Sequence, residues 1–105
     1  MPGTVYLLHF ARPFKHAGHY LGWSEDVPRR LAEHGTPEGS ALMRAVAGAG
    51  IGWELVRIWR GRQKLERALK RAHGSGWYCP LCRPALVAAA RERMRRLRQS
   101  TATQE

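Results

Sequence analysis

The run Thr4-Val5-Tyr6-Leu7-Leu8-His9, taken with His19-Tyr20-Leu21-Gly22-Trp23, decides the fold. Both stretches are short, apolar and rich in β-branched or aromatic side chains, the composition of strands. Between them residues 11–18 carry Pro13, Lys15 and Gly18 and read as the polar loop of a long hairpin. Two short strands joined in this way pair most simply as antiparallel neighbours.

Helix signals extend the reading outward. Asp26 is a good N-cap, and Pro28 falls in the first turn, where a missing N–H costs nothing. The helix runs through Arg29, Arg30, Leu31, Ala32 and Glu33 to His34, and Gly35 closes it. After the linker Thr36-Pro37-Glu38-Gly39, a second helix starts at Ser40, with Leu42, Met43, Val46 and Ala47 at helical spacing, and stops near Gly48 and Gly50. Residues 51–60 alternate in part and read as a third strand, broken by Gly61. Leu65, Ala68, Leu69 and Ala72 then form the apolar stripe of a helix over residues 62–72. A last helix covers residues 84–99, its apolar first half giving way to Arg91, Arg93, Arg95, Arg96 and Arg98. The order β-β-α-α-β-α-α predicts an α+β fold, a three-stranded antiparallel sheet flanked by helices, with a basic C-terminal helix. Residues 1–76 form the main unit, and residues 77–105 are part of it or appended to it.

A chain of 105 residues has room for one hydrophobic core, and its 44% apolar content is enough to fill one. No apolar run reaches the roughly 18 residues of a membrane span, so no membrane partner is expected. The start lacks a basic leader and a cleavage site, which makes the cytoplasm the expected location. Eighteen Lys and Arg against eight Asp and Glu give a net charge of +10, with Arg well ahead of Lys. The guanidinium fork suits phosphate oxygens, so the excess points to an anionic polymer as partner. A compositional bias towards Arg, Ala and Gly would produce the same excess without function.

Further features carry chemistry. Val5-Tyr6-Leu7 and Tyr20-Leu21-Gly22, on consecutive strands, resemble the two halves of the GIY-YIG signature. The similarity continues in register through Ser24 and Asp26 at a helix start, Arg30, His34, and Glu66 on the helix after the third strand. It covers residues 4–72 and implies that residues 1–76 are a GIY-YIG-like nuclease domain. The resemblance implies a metal-dependent endonuclease that hydrolyses phosphodiesters of nucleic acid, DNA in preference to RNA. Tyr6, Tyr20, Arg30, His34 and Glu66 would be catalytic, with Tyr6 as general base and Glu66 holding one Mg²⁺ or Mn²⁺. The residues make chemical sense together. Arg30 and His34, at i and i+4, share a helix face and can meet one phosphate. A single carboxylate with water and substrate oxygens suits a hard cation. Arg29, Arg91, Arg95 and Arg98 are the expected contacts to nucleic acid.

Each residue also has an ordinary reading: Tyr6 and Tyr20 as strand aromatics, Arg30 as a solvated helix residue, Glu66 as an ion-pair partner of Arg62 or Lys70. The chain has no Asn, whereas the family often carries one beyond its metal helix. This motivates an alternative, a catalytically inactive basic module that binds nucleic acid on the same fold. Cys79-x-x-Cys82 supplies half of a tetrahedral zinc site, with His73 as a third ligand and His16, His19 or a second chain as the fourth. A reduced, unliganded cysteine pair is the preferred expectation.

Overall fold

The computed structural model describes residues 3–72 and 74–102. Strand β1 spans Gly3–Phe14 and β2 Ala17–Ser24; helices α1 (Val27–Glu33) and α2 (Ala41–Gly48) follow. Strand β3 spans Trp53–Gly61, and then come α3 (Gln63–Arg71), α4 (Ser75–Tyr78) and α5 (Arg83–Ala102). The three strands form one antiparallel sheet in the order β2-β1-β3, so the molecule is an α+β protein with β1 in the centre.

Helices cover this central strand on both sides, which is why Val5, Tyr6, Leu7 and Leu8 are all buried in succession. Tyr6, Leu8 and Phe10 point to one face and pack with Met43, Val46 and Ile51, with Val27 and Leu31 of α1 at the margin. Val5 and Leu7 point to the other, where they meet Leu21 and Cys79, with Leu65 and Leu69 of α3 and Tyr78 of α4 around them. Burying a Leu side chain of this kind stabilises the fold by about 1.5–3 kcal/mol.

The caps are as the sequence predicts. The Asp26 side chain accepts the Arg29 N–H, and the Ser40 hydroxyl accepts that of Met43. Helix α2 ends in a Schellman arrangement: the Ile51 N–H donates to Val46 O and the Gly50 N–H to Ala47 O. That geometry needs a left-handed residue, met by Gly50 at φ +71°.

The hairpin departs from expectation. Residues 11–18 are not a loop; β1 continues to Phe14 and the turn is confined to Lys15 and His16. Phe14 pairs with Ala17, but further from the turn His9 pairs with His19, so β1 carries extra residues between His9 and Phe14. Pro13 lies in that irregular stretch and cannot donate to a ladder, which is why the extended residues escaped a strand reading. The four-residue helix α4 was also unexpected. Residue Cys79 sits in the second core cluster, so the segment after residue 76 belongs to the same packed body, while α5 from Arg93 to Gln99 is exposed. Among the described residues no helix is long and apolar enough to cross a membrane.

Candidate functional site

Two constellations stand on opposite faces of the sheet. On the α1/α2 face, the pairing of Tyr6 with Gly22 sends the Tyr6 ring across β2. A Cβ on Gly22 would lie 2.5 Å from both Cζ and Oη of Tyr6 and 2.8 Å from Tyr20 Cε1, so only glycine leaves room for the two phenols. Their ring centroids are 6.1 Å apart, and the His34 ring stands 5.9 Å from Tyr6 and 5.2 Å from Tyr20. The Tyr6 hydroxyl and His34 Nε2 are hydrogen-bonded at 2.9 Å.

The other ring nitrogen, His34 Nδ1, is buried without a hydrogen-bond partner among the described residues. An orphaned N–H is the rarer defect, so the ring proton is assigned to Nε2, which donates to the Tyr6 oxygen. Burial, with the Arg30 charge behind it, holds the His34 pKa below the usual histidine range, and Glu33 opposes this only in part. Burial also pushes the Tyr6 phenol up, helped by Tyr20 and only partly offset by Arg30. Tyr6 has no solvent exposure. In the resting protein it is therefore a neutral phenol beneath the surface, and Tyr20 is the half-exposed phenol beside it.

Arg30 comes from α1. Its Nη1 donates to Glu33 Oε2 at 2.9 Å and to Glu38 O at 3.0 Å, which fixes the guanidinium where its charge acts on both phenols. Arg29 is more exposed and pairs with Glu33 at 3.2 Å. Arg29 and Arg30 line a polar cleft of about 290 Å³ with Ser24, Glu25, Asp26 and Glu33.

Glu66 reaches this region indirectly. Helix α3 packs on the opposite face, yet Glu66 Oε1 is 2.7 Å from Lys70 Nζ, which lies 5.9 Å from the centre of the Tyr20 ring. No hydrogen bond or ion pair joins Glu66 to Tyr6, Arg30 or His34 among the described residues. Tyr20, Leu69 and Lys70 share a cleft of about 370 Å³ with His19 and Ser75 at the β2 edge. The structure thus gathers Tyr6, Tyr20, Arg30 and His34, while Glu66 meets none of the four among the described residues and pairs with Lys70 one turn along its own helix. The Glu66 carboxylate is a donor of the kind Mg²⁺ or Mn²⁺ takes, and it is held by a lysine ammonium.

On the opposite face, His9 and His19 are cross-strand partners, and Cys79 and Cys82 arrive from the α4–α5 turn. One ligand atom from each of the four lies within 4.8 Å of every other, an arrangement that could hold a metal ion. Two sulfurs and two imidazoles suit a zinc-type ion better than Mg²⁺. The cysteine pair thus stands beside His19, one of the expected fourth ligands, and beside His9, which was not expected. His9, read only as a strand residue, is the ligand the sequence did not reveal; His73 lies outside the described residues, and His16 is exposed at the turn. The signal was there in the odd numbering shared by His9, Val5 and Leu7, but the register that sets His9 against His19 depends on the irregular stretch before Phe14.

The basic residues of α5 are also ordered. Arg91, Arg95 and Arg98 line one cleft of about 620 Å³ with Met94 and Trp77, and the Trp77 side chain is exposed. Arg91 faces a second cleft with Arg57 and Arg83.

His34 predicts an acid dependence. Its folded pKa is depressed, so between that value and about 6.5 the unfolded chain binds the extra proton and stability falls as pH drops. The loss is at most about 1.4 kcal/mol per pH unit. Above pH 7 there is no penalty. Denaturant titrations from pH 7 to 5 should show a shallower slope for His34→Gln than for wild type; equal slopes would mean that His34 titrates normally. Tyr6, Arg30 and Glu33 face this ring, and Glu33, held low by Arg30, titrates below the window.

Comparison with protein-family models, with curated proteins and with solved structures finds no match for this chain.

Proposed function

We propose that the protein is a metal-dependent endonuclease that hydrolyses nucleic-acid phosphodiesters, DNA in preference to RNA, with its site on the α1 face of the sheet. The observation that carries the reading is the gathering of Tyr6, Tyr20, Arg30 and His34 over Gly22. Those are the residues that align with the GIY-YIG signature, and the order of strands and helices is compatible with that resemblance.

Arg30, already anchored by Glu33 and Glu38, neutralises the non-bridging oxygens of the scissile phosphate. Tyr20, the accessible phenol, orients the attacking water. Tyr6 and His34 lie behind it as a buried pair: the Tyr6 oxygen takes the proton the water loses as the Tyr6 hydroxyl hands its own to His34 Nε2, the imidazole having first moved its ring proton to Nδ1. The phosphorus–oxygen bond to the leaving alkoxide breaks as the water oxygen bonds, and that alkoxide takes a proton from solvent. Glu66 would hold one Mg²⁺ or Mn²⁺ in exchange for its ion pair with Lys70. Such an ion, when bound, supplies positive charge to the phosphate and the leaving oxygen. Arg29 and the Arg91, Arg95 and Arg98 row, with Trp77, track the polymer backbone.

A second reading, a binding module without turnover, is favoured by the complete burial of Tyr6 and by the lysine paired to Glu66. One experiment separates them. Supercoiled plasmid, branched DNA and structured RNA are incubated with the protein in Mg²⁺, Mn²⁺ or chelator, and binding is measured across salt concentrations. Nicking that requires the divalent ion supports the nuclease. Salt-sensitive binding with no cleavage of any substrate would establish the module instead.

A further inference from the structure

We propose that His9, His19, Cys79 and Cys82 bind one zinc ion in a closed structural site that fastens the α4–α5 segment to the β1–β2 hairpin. The proposal is independent of the nuclease reading and concerns the other face of the sheet.

Geometry is the first support. Zinc takes sulfur at about 2.3 Å and imidazole nitrogen at about 2.0–2.1 Å, so a regular tetrahedron separates two nitrogens by about 3.3 Å and a nitrogen from a sulfur by about 3.6 Å. His9 Nδ1 and His19 Nε2 are 3.4 Å apart. Cys79 Sγ is 3.5 Å from His9 Nδ1, and Cys82 Sγ is 3.6 Å from His9 Nδ1 and 3.5 Å from His19 Nε2. These match four of the six edges of a zinc tetrahedron, and the remaining two are within 4.8 Å. A Mg²⁺ site would present oxygens in an octahedron.

Charge is the second. Both cysteines are free, and each would shed its thiol proton to solvent on binding. Two thiolates cancel the two charges of the ion, and two neutral imidazoles add none. The assembled centre is neutral, as a site in contact with a fully buried Cys79 must be. Without an ion, four soft or aromatic donors converge with few hydrogens to share.

The surrounding backbone suits the purpose. The N–H groups of Cys82 and Arg83 both donate to Cys79 O, forming a tight knuckle, and the Leu86 N–H donates to Cys82 O. Cys82 therefore stands at the start of the 20-residue helix α5. The two histidines come from paired strands whose positions the core already fixes. With four protein ligands no coordination position is open, which makes the ion a strut and not a catalyst. What it braces is the root of the arm that carries Trp77, Arg91, Arg95 and Arg98.

The test uses the full chain, purified without chelator. Elemental analysis should find about one zinc per chain, and Co²⁺ exchanged for zinc should give the intense visible bands and sulfur charge-transfer absorption of a tetrahedral two-thiolate site. Cys82→Ser and His9→Gln should each lose the metal, whereas Glu66→Gln should retain it. Stripping the ion from wild type should lower Tm by about 10 °C or more and speed amide exchange in α4 and the first turns of α5. The cobalt spectrum of wild type decides the matter even if a variant fails to fold. A protein that carries no metal and is neither stabilised by added zinc nor coloured by Co²⁺ would overturn the proposal. One zinc shared by two chains would overturn it as well.

Discussion

Gly22→Ala is expected to destabilise the protein by about 2–3 kcal/mol, the cost of overpacking a filled interior. The added methyl would stand 2.5 Å from Tyr6 Cζ and Oη, against a ring with no free space behind it. Tyr6 cannot simply tilt away, because His34 holds its hydroxyl at 2.9 Å and Leu8, Met43 and Val46 share its cluster. Relief has to come from β2 moving off β1 or from the Tyr6–His34 bond breaking. Thermal unfolding should register a fall in Tm of about 10–20 °C. Gly18→Ala in the same strand is the control, since a methyl there would meet nothing within 4 Å and no loss is expected. Equal behaviour of the two variants would mean that Tyr6 does not lie across Gly22.

Glu66→Gln should reduce divalent-dependent cleavage by about 10³-fold, the worth of several kcal/mol of transition-state charge stabilisation. The amide is nearly isosteric and keeps the polar contact with Lys70, so folding should survive, but it cannot attract a divalent ion with a formal charge. Lys70→Met provides the opposite arm. It removes the ammonium 2.7 Å from the carboxylate, so the ion no longer has to displace a competitor and half-maximal activity should need less Mg²⁺. Steady-state cleavage against metal concentration measures both. If Glu66→Gln cuts as well as wild type, Glu66 is an ordinary helix ion-pair residue and has no part in the reaction.

Much of the fold could be read from local chemistry. Asp26 and Ser40 announce their helices because a short side-chain acceptor satisfies a free N–H at only one kind of place. Gly50 ends α2 because a left-handed residue is required there. The Glu66–Lys70 pair follows from helical spacing alone. The approach of Tyr6, Tyr20, Arg30 and His34 was legible only as an ordered pattern, since none of the four is unusual for its element. What could not be read depends on register and depth. Pro13 and the polar residues near it disguise the outer part of the hairpin, and without its true pairing His9 has no visible connection to His19 or to the cysteines. The depth of Tyr6 is likewise set by α1 and α2 closing over it, a tertiary fact that makes the expected general base a buried neutral phenol.

Strand β1 is a party wall between two chambers. Its even-numbered side chains furnish the room of the phenols and its odd-numbered ones the room of the sulfurs. Sliding that wall by one residue would exchange the tenants of both rooms at once, so neither can be refurnished alone. Whatever stiffens the sulfur side also steadies the partition on which the phenols hang, and the two chambers share one mechanical fate.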